Sequence, residues 1–350
     1  MAVSSTDLLL LPSMHAGDDE VPVYESGAEV LEKVQEKWAA AAASRPPPYP
    51  AMYSSVFGGI ILDPAMMVLP IDDHMVHRGH GVFDTAMILD GALYELDAHL
   101  DRFLRSAAAA RVGTAPFPRE ALRRILIQMT AASGCRMGSI RYWLSSGPGD
   151  FLLSSRGCPS PAFYGVVIAS EYEQCGVDGT GVRAVTATVP MKPPQFATVK
   201  NVNYLPNVLS IMDAEDRGAF ASVWVDDQGY VAEGPMVNVA FVTPERELVL
   251  PAFDKILSGC TAKRMLALAP RLVDAGLLAG VSTRDITAED AKRSAEMAFV
   301  GSGLPVLPVV EWDGKPIGDG KVGKLMPALS DLLWEDMKSG PDRIPVPYKQ

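Results

Sequence analysis

Lys200 heads the stretch Thr198-Val-Lys-Asn-Val-Asn-Tyr-Leu-Pro-Asn-Val-Leu-Ser-Ile-Met-Asp-Ala-Glu-Asp-Arg-Gly218, and that setting predicts a reactive amine. Leu205, Val208, Leu209 and Met212 recur at helical spacing, Asn203 can cap, Pro206 suits a first turn and Gly218 a C-terminal cap, so a helix begins just after the lysine. Gly181 to Val189, upstream, reads as a strand. An ammonium between a strand end and a helix N-terminus faces unsatisfied N–H groups and the positive end of the dipole, which disfavours its charged form. A neutral amine is a nucleophile, as Schiff-base chemistry with an aldehyde cofactor requires. Taken alone, a solvated surface lysine fits the same residue.

The chain that must position this amine has 350 residues, 48% apolar and 21% charged, enough for a large core and two domains. A formal net charge of -11 leaves no broad basic field, so neither nucleic acid nor an anionic membrane is an expected partner. Cys135, Cys158, Cys175 and Cys260 lie far apart without metal-ligand spacing, so no metal site and no disulfide framework is expected, and a reducing compartment fits. No apolar run approaches the roughly 20 residues of a membrane helix. Leu8 to Leu11 is too short for a signal-peptide core, and no Lys or Arg precedes Lys33. A cytoplasmic location is expected, with the plastid as the alternative.

Met1 to Val21 reads as disordered, and Ser26 with Glu29 forms a capping-box pattern ahead of Val30, Leu31, Val34 and Trp38. Ala39 to Pro50 reads as fraying helix and stiff polyproline linker, making residues 1–53 an N-terminal extension. A small α/β domain is expected over 54–170, with strands at Phe57–Leu62, Gly81–Leu89, Leu93–Leu96, Ile140–Ser145 and Ala162–Ala169 and helices at Ala98–Arg111 and Pro118–Ser133. Residues 171–181, rich in glycine, form the link. The larger domain over 182–335 carries a strand pair, Ala221–Val225 and Tyr230–Glu233, and strands at Asn238–Thr243, Leu248–Leu250, Met297–Val300 and Val306–Trp312. It also carries a helix from Ala262 to Leu278, another starting at Thr287, and a tight loop at Gly301-Ser302-Gly303. Residues 336–350 read as a tail.

Five segments agree in order and spacing with one family: Arg78-Gly-His-Gly-Val-Phe-Asp84, His99-Leu-Asp-Arg-Phe-Leu-Arg-Ser106, Lys200-Asn-Val-Asn-Tyr-Leu205, Glu233-Gly-Pro-Met-Val-Asn238 and Leu257-Ser-Gly-Cys-Thr261. Over about residues 54–335 the chain resembles the class IV, fold-type IV enzymes of pyridoxal 5'-phosphate. These comprise branched-chain aminotransferases, D-amino-acid aminotransferases and aminodeoxychorismate lyases. Ile140-Arg-Tyr-Trp-Leu-Ser-Ser-Gly-Pro-Gly-Asp-Phe151 resembles the plant D-amino-acid transaminase branch. The resemblance implies two α/β domains with the cofactor at their interface, a homodimer, and small amino acids and 2-oxo acids as substrates.

By the same resemblance Lys200 is the Schiff-base lysine that also moves the α-proton, and Glu233 faces the pyridine nitrogen. Arg102 binds the phosphate, although on the helical wheel it lies off the stripe of Leu100, Phe103, Leu104 and Ala107. Cys260 and Thr261 at a helix start, with Ser302 and Gly303, complete the cradle. Leu257 packs on the ring. Phe83, Arg141 and Asn238 are the expected substrate contacts. The Arg-x-His carboxylate trap of bacterial D-aminotransferases is replaced by Phe151 and Leu153, so Arg141 is the substitute cation, with a salt-bridged strand arginine reading equally well. Pro235, Met236 and Val237 make an apolar wall, and Arg78 and His80 are expected to frame the site. The resulting expectation is transamination of D-amino acids with pyruvate or 2-oxoglutarate. The alternatives are aminodeoxychorismate lysis, branched-chain L-aminotransfer, and a cofactor-binding protein without turnover.

Overall fold

The computed structural model describes residues 21–44, 48–176 and 178–349, so the disorder expected from Met1 onward falls almost wholly outside it. The first half carries α1 (Gly27–Ser44), β1 (Ala51–Ser54), β2 (Gly59–Ile61), α2 (His74–Arg78), β3 (Gly81–Leu89), β4 (Ala92–Tyr94), α3 (Leu96–Ala109), α4 (Arg119–Ser133), β5 (Gly138–Ser145) and β6 (Ala162–Ala169). The second carries β7 (Val182–Thr186), α5 (Pro194–Ala197), α6 (Leu205–Asp216), β8 (Ala221–Val223), β9 (Asn238–Val242), β10 (Glu247–Leu250), α7 (Cys260–Leu268), α8 (Pro270–Asp274), β11 (Gly280–Thr283) and α9 (Ala288–Lys292). It ends with β12 (Glu296–Gly301), β13 (Leu304–Trp312), β14 (Lys315–Pro316), α10 (Leu325–Ser339) and β15 (Arg343–Pro345). The Ser26 cap forms in a variant of the expected box: the Ser26 hydroxyl accepts from Glu29 N–H, and the Glu29 carboxylate accepts from the Ser26 hydroxyl and from Glu25 N–H instead of Ser26 N–H.

Seven strands make a wholly antiparallel sheet in the order β15-β4-β3-β5-β6-β1-β2. Eight make a mixed sheet, β11-β10-β9-β12-β13-β7-β8 with β14 beside β13, in which β10–β11, β13–β7 and β7–β8 are parallel. In the first sheet, strict alternation along β3 and β5 sends Val82, Ala86, Ile88, Ile140, Tyr142 and Leu144 to the helix side, where Leu100 and Phe103 of α3 and Leu122 and Leu126 of α4 meet them. Each of the larger side chains buried there contributes roughly 1.5–3 kcal/mol. The opposite face of the same two strands presents Phe83, Thr85, Ser139 and Arg141 to the cavity described below. The second sheet is covered on both faces: Phe241, Met297, Phe299 and Trp312 pack on one, and Ala240, Leu248 and Ala298 pack against Met265 of α7 and Leu329 and Leu333 of α10 on the other. Its central strands β9 and β12 are therefore buried nearly end to end rather than alternating.

Four expectations change. The first sheet begins at Ala51, inside the expected extension of residues 1–53, because β1 pairs with β6; the strand expected over Phe57–Leu62 is a turn through Gly58 (φ +71°) followed by β2. The long helix after Ala262 is broken at Ala269, where Pro270 cannot donate to the preceding turn and starts α8 instead. Tyr204, not Asn203, stands at the α6 cap position, since the Asn203 side chain donates to the Gly79 carbonyl at 3.0 Å. Finally, residues 336–350 are not a tail: α10 runs to Ser339, β15 pairs with β4, and Val346 and Tyr348 pack on the core of the first sheet.

Candidate active site

The lower half of β3 has an open edge, because β4 pairs only with Ile88 and Leu89. The backbone around Lys200 fills it: Phe83 N–H donates to the Lys200 carbonyl at 3.0 Å and Val202 N–H to the Gly81 carbonyl at 3.1 Å. From the α3 side, the Ser106 hydroxyl accepts from Lys200 N–H at 3.1 Å. Lys200 is thus pinned to the first sheet while its side chain enters a cavity of about 310 Å³ between the two sheets. Its Nζ lies 4.6 Å over the Phe83 ring and 3.5 Å from the Tyr204 hydroxyl. Burial first, and Arg102 second, pull its pKa down to about 8, with Asp84 and Glu233 opposing. The direction is the expected one, and desolvation is its largest cause.

At one end of the cavity Arg102 is buried and doubly paired. Its Nε donates to Asp84 at 2.9 Å and its Nη2 at 2.6 Å, while Nη1 reaches the Ser258 carbonyl at 3.4 Å. His99 Nδ1 meets the same Asp84 oxygen as Nη2, Oδ1, at 2.8 Å. Burial would raise the Asp84 pKa, yet Arg102 and His99 hold its carboxyl well below the usual range. Burial would likewise lower His99, but Cys260 and Asp84 lift it to about 9. The helical wheel placed Arg102 outside the buried stripe; the structure buries it because β3 brings Asp84 to meet it. Thr261 lies on the first turn of α7, whose cap Gly259 offers no side chain to its N–H groups, and its hydroxyl is 3.3 Å from that of Ser302. An uncapped helix N-terminus beside a guanidinium is an anion site.

Glu233 ends the strand pair that turns at Asp226-Asp227-Gln228-Gly229, where Trp224 N–H donates to its carbonyl. Its Oε2 accepts from Leu257 N–H at 3.2 Å and from Asn238 at 3.5 Å, and Asn238 also donates to the Leu257 carbonyl at 2.9 Å. A Cβ at Gly259 would sit 2.0 Å from the Asn238 side-chain oxygen, so glycine is required there. Burial pushes the Glu233 carboxyl up to about 8 against the opposing pull of Leu257 N–H and Lys192.

Lys200, Arg102, Glu233, Leu257, Cys260, Thr261, Ser302, Gly303, Phe83, Arg141 and Asn238 all line this one cavity, with Pro235, Met236 and Val237 as a wall. Arg141 is exposed, pairs across the strands with Thr85 and donates to its hydroxyl at 3.2 Å. Arg78 and His80 do not frame the cavity: Arg78 donates to the Phe151 carbonyl at 2.5 Å, and His80 joins His74 at 3.1 Å. Phe151 and Leu153 stand exposed on a loop away from the lining. Sequence reasoning passed over Tyr204, Lys192 and His99. Tyr204 and His99 lay inside quoted motifs, whereas only the fold brings Lys192 to the cavity. Among the described residues no cluster could hold a metal ion and no helix is long and apolar enough to cross a membrane.

Amino-transferase class IV is the family whose profile matches, over residues 81–312. The chain is 58% identical over 301 residues to a chloroplastic D-amino-acid transaminase of Arabidopsis thaliana, covering 85% of this chain and 80% of that one. It is 26% identical to a D-alanine aminotransferase of Bacillus licheniformis, covering 81% and 97%. Its fold matches that of an Escherichia coli branched-chain amino acid aminotransferase at a TM-score of 0.74 and 19% identity, over 84% and 95% of the two chains. With a match across most of its length and a relative at 58% identity, the chain belongs to the class IV aminotransferases.

Proposed function

We propose that this protein transaminates D-amino acids on pyridoxal 5'-phosphate, passing the amino group to a 2-oxo acid such as pyruvate or 2-oxoglutarate. The observation that carries the reading is one cavity holding a lysine amine of pKa about 8, a buried carboxylate, and an uncapped helix N-terminus beside Arg102. These residues fit the cofactor: its phosphate suits Arg102, Thr261, Ser302 and the α7 N–H groups, and a cationic pyridine nitrogen answers the otherwise costly burial of Glu233. When bound, the cofactor supplies the aldehyde and an electron sink for α-proton loss.

Lys200 holds the cofactor and then carries the α-proton, a task for which a pKa near the working pH is suited. Glu233 keeps the proton on the pyridine nitrogen, and Asn238 with Leu257 N–H fixes its carboxylate. Tyr204, whose hydroxyl is 3.5 Å from Lys200 Nζ, orients the amine, and Leu257 offers an apolar face to the ring. Arg141 binds substrate carboxylate in two-point geometry. Absorbance of the cofactor-loaded protein during addition of D-alanine, with L-leucine in parallel, tests the reading: D-alanine alone should convert it. Response to L-leucine alone would move the substrate to the branched-chain L-acids.

A lyase reading has one support of its own, 28% identity over 226 residues to a bifunctional aminodeoxychorismate lyase / D-amino acid transaminase of Mycobacterium tuberculosis. Pyruvate release from aminodeoxychorismate without any acceptor would establish it. We further propose a homodimer. Leu205, Val208, Leu209 and Met212 of α6 are 43–68% exposed, a stripe that a second copy would cover. Sedimentation of the wild type against Leu205→Glu tests this. For the compartment, the chloroplastic relative supports the plastid; import of the chain into isolated chloroplasts decides.

A further inference from the structure

Lys192 belongs to none of the roles above, and it lines the catalytic cavity. It precedes Pro193 and Pro194, whose fixed φ angles set the path of the chain into α5. Its Nζ sits 4.8 Å over the Tyr204 ring. Tyr204 in turn packs edge-on against Phe83 at 5.1 Å, and the Arg141 guanidinium lies 6.0 Å from the Phe83 ring centre. The result is a row of cation, ring, ring, cation. The Lys200 amine stands over its middle, 4.6 Å from the Phe83 centre and 6.0 Å from that of Tyr204.

We propose that Lys192 is a second carboxylate-binding residue, which makes this site selective for dicarboxylic 2-oxo acids and dicarboxylic D-amino acids. The inference rests on the transaminase reading and on charge balance. Of the basic side chains that line the cavity, Arg102 is held by Asp84 and Lys200 is the reacting amine, which leaves Arg141 and Lys192 to answer a substrate anion. Among the described residues Glu233 is the one carboxylate lining the cavity, and the pyridine nitrogen claims it. Neither Arg141 nor Lys192 forms an ion pair among the described residues. Lys192 also borders a second cavity, of about 510 Å³, lined by Asp226, Asp227, Asp254 and Asp285, yet none of these pairs with it and Asp226 is taken by Lys255 at 3.4 Å. A half-buried ammonium without an ion-pair partner, its charge answered only at longer range by Glu233, is costly, and a ligand carboxylate relieves that cost. A monocarboxylic substrate satisfies Arg141 and leaves Lys192 bare. A five-carbon dicarboxylate reacting at Lys200 has one carboxylate for each flank.

The test compares 2-oxoglutarate with 2-oxopentanoate, which has the same chain length and a methyl group in place of the second carboxylate. In Lys192→Met holoenzyme the ratio of kcat/KM for 2-oxoglutarate over 2-oxopentanoate should fall by roughly tenfold or more, as expected for losing a charge-assisted hydrogen bond. Lys192→Arg should restore most of it. A ratio unchanged in the Met variant, or lost equally in the Arg variant, overturns the proposal. Wild-type holoenzyme gives an independent reading: glutarate should inhibit at roughly a tenth of the concentration that pentanoate needs, and equal inhibition overturns the proposal too. Wild-type protein that transaminates neither 2-oxo acid would instead defeat the reading on which the proposal rests.

Discussion

The two ends of the cavity are built on opposite plans. At the Arg102 end the charged side chains are paired before any ligand arrives, while the α7 N–H groups stay open for one anion: Asp84 is fully buried against Arg102 and His99, and three elements, β3, α3 and α7, converge there. At the Arg141 end the guanidinium is exposed and bonded only to Thr85, and the Met236 wall is 57% exposed. A site that keeps one ligand permanently can be pre-assembled around it. A site that must take an amino acid, release a 2-oxo acid and accept another has to leave its charges available. The contrast teaches where stability and where turnover are held in this molecule.

Substitutions separate the two. Lys200→Ala, at the boundary, should lower turnover of D-alanine by about a thousandfold or more while cofactor uptake, followed by absorbance, persists. Asp84→Asn should destabilise the apoprotein by roughly 3–5 kcal/mol in denaturant titration, because it strands the Arg102 charge in a buried setting. Arg141→Ala should do the reverse: stability within about 0.5 kcal/mol of the parent, with KM for the acid substrate raised roughly tenfold. If both variants lost stability alike, the division between the ends would be wrong.

The pH dependence sharpens it further. Glu233, raised from 4.5 to about 8, binds more protons folded than unfolded across that interval, so its contribution to apoprotein stability falls as pH rises through it. Lys200, lowered from 10.5 to about 8, binds fewer folded than unfolded from about 8 upward, so its contribution recovers over that range. His99, raised from 6.5 to about 9, adds to the fall over its own interval, so thermal melts of the apoprotein should fall by a few degrees toward pH 8–9, and Glu233→Gln should make the falling limb shallower between about pH 5 and 8. The smallest effect is expected for Thr261→Val, a roughly two- to tenfold loss of pyridoxal 5'-phosphate affinity from one hydrogen bond.

Sequence made the local parts legible. Gly81–Leu89 and Ala162–Ala169 fold as the expected strands because alternation and β-branched residues act over short range. The cavity residues were legible through motif resemblance, not through periodicity. Arg102 illustrates the limit: a wheel counts apolar residues on one helix and cannot know that a carboxylate from β3 will be delivered to its flank. Lys192 illustrates another, since it carries no motif and reaches the cavity only when the proline-fixed turn before α5 folds back. The α6 stripe marked a helix correctly, yet its apolar face points outward, because the periodicity is the same whichever partner covers it.

The return of β15 to β4 means that the polypeptide crosses between the two sheets after α10 as well as between β6 and β7, besides the excursion that lays Lys200 on β3. A molecule joined at a single crossing can swing open like a book; one stitched at both ends twists and slides instead. Admission to the cleft then falls to short loops around it. For the same reason the first half of the gene does not encode a complete sheet: a chain cut at the crossover would give a first half lacking its edge strand, leaving β4 bare.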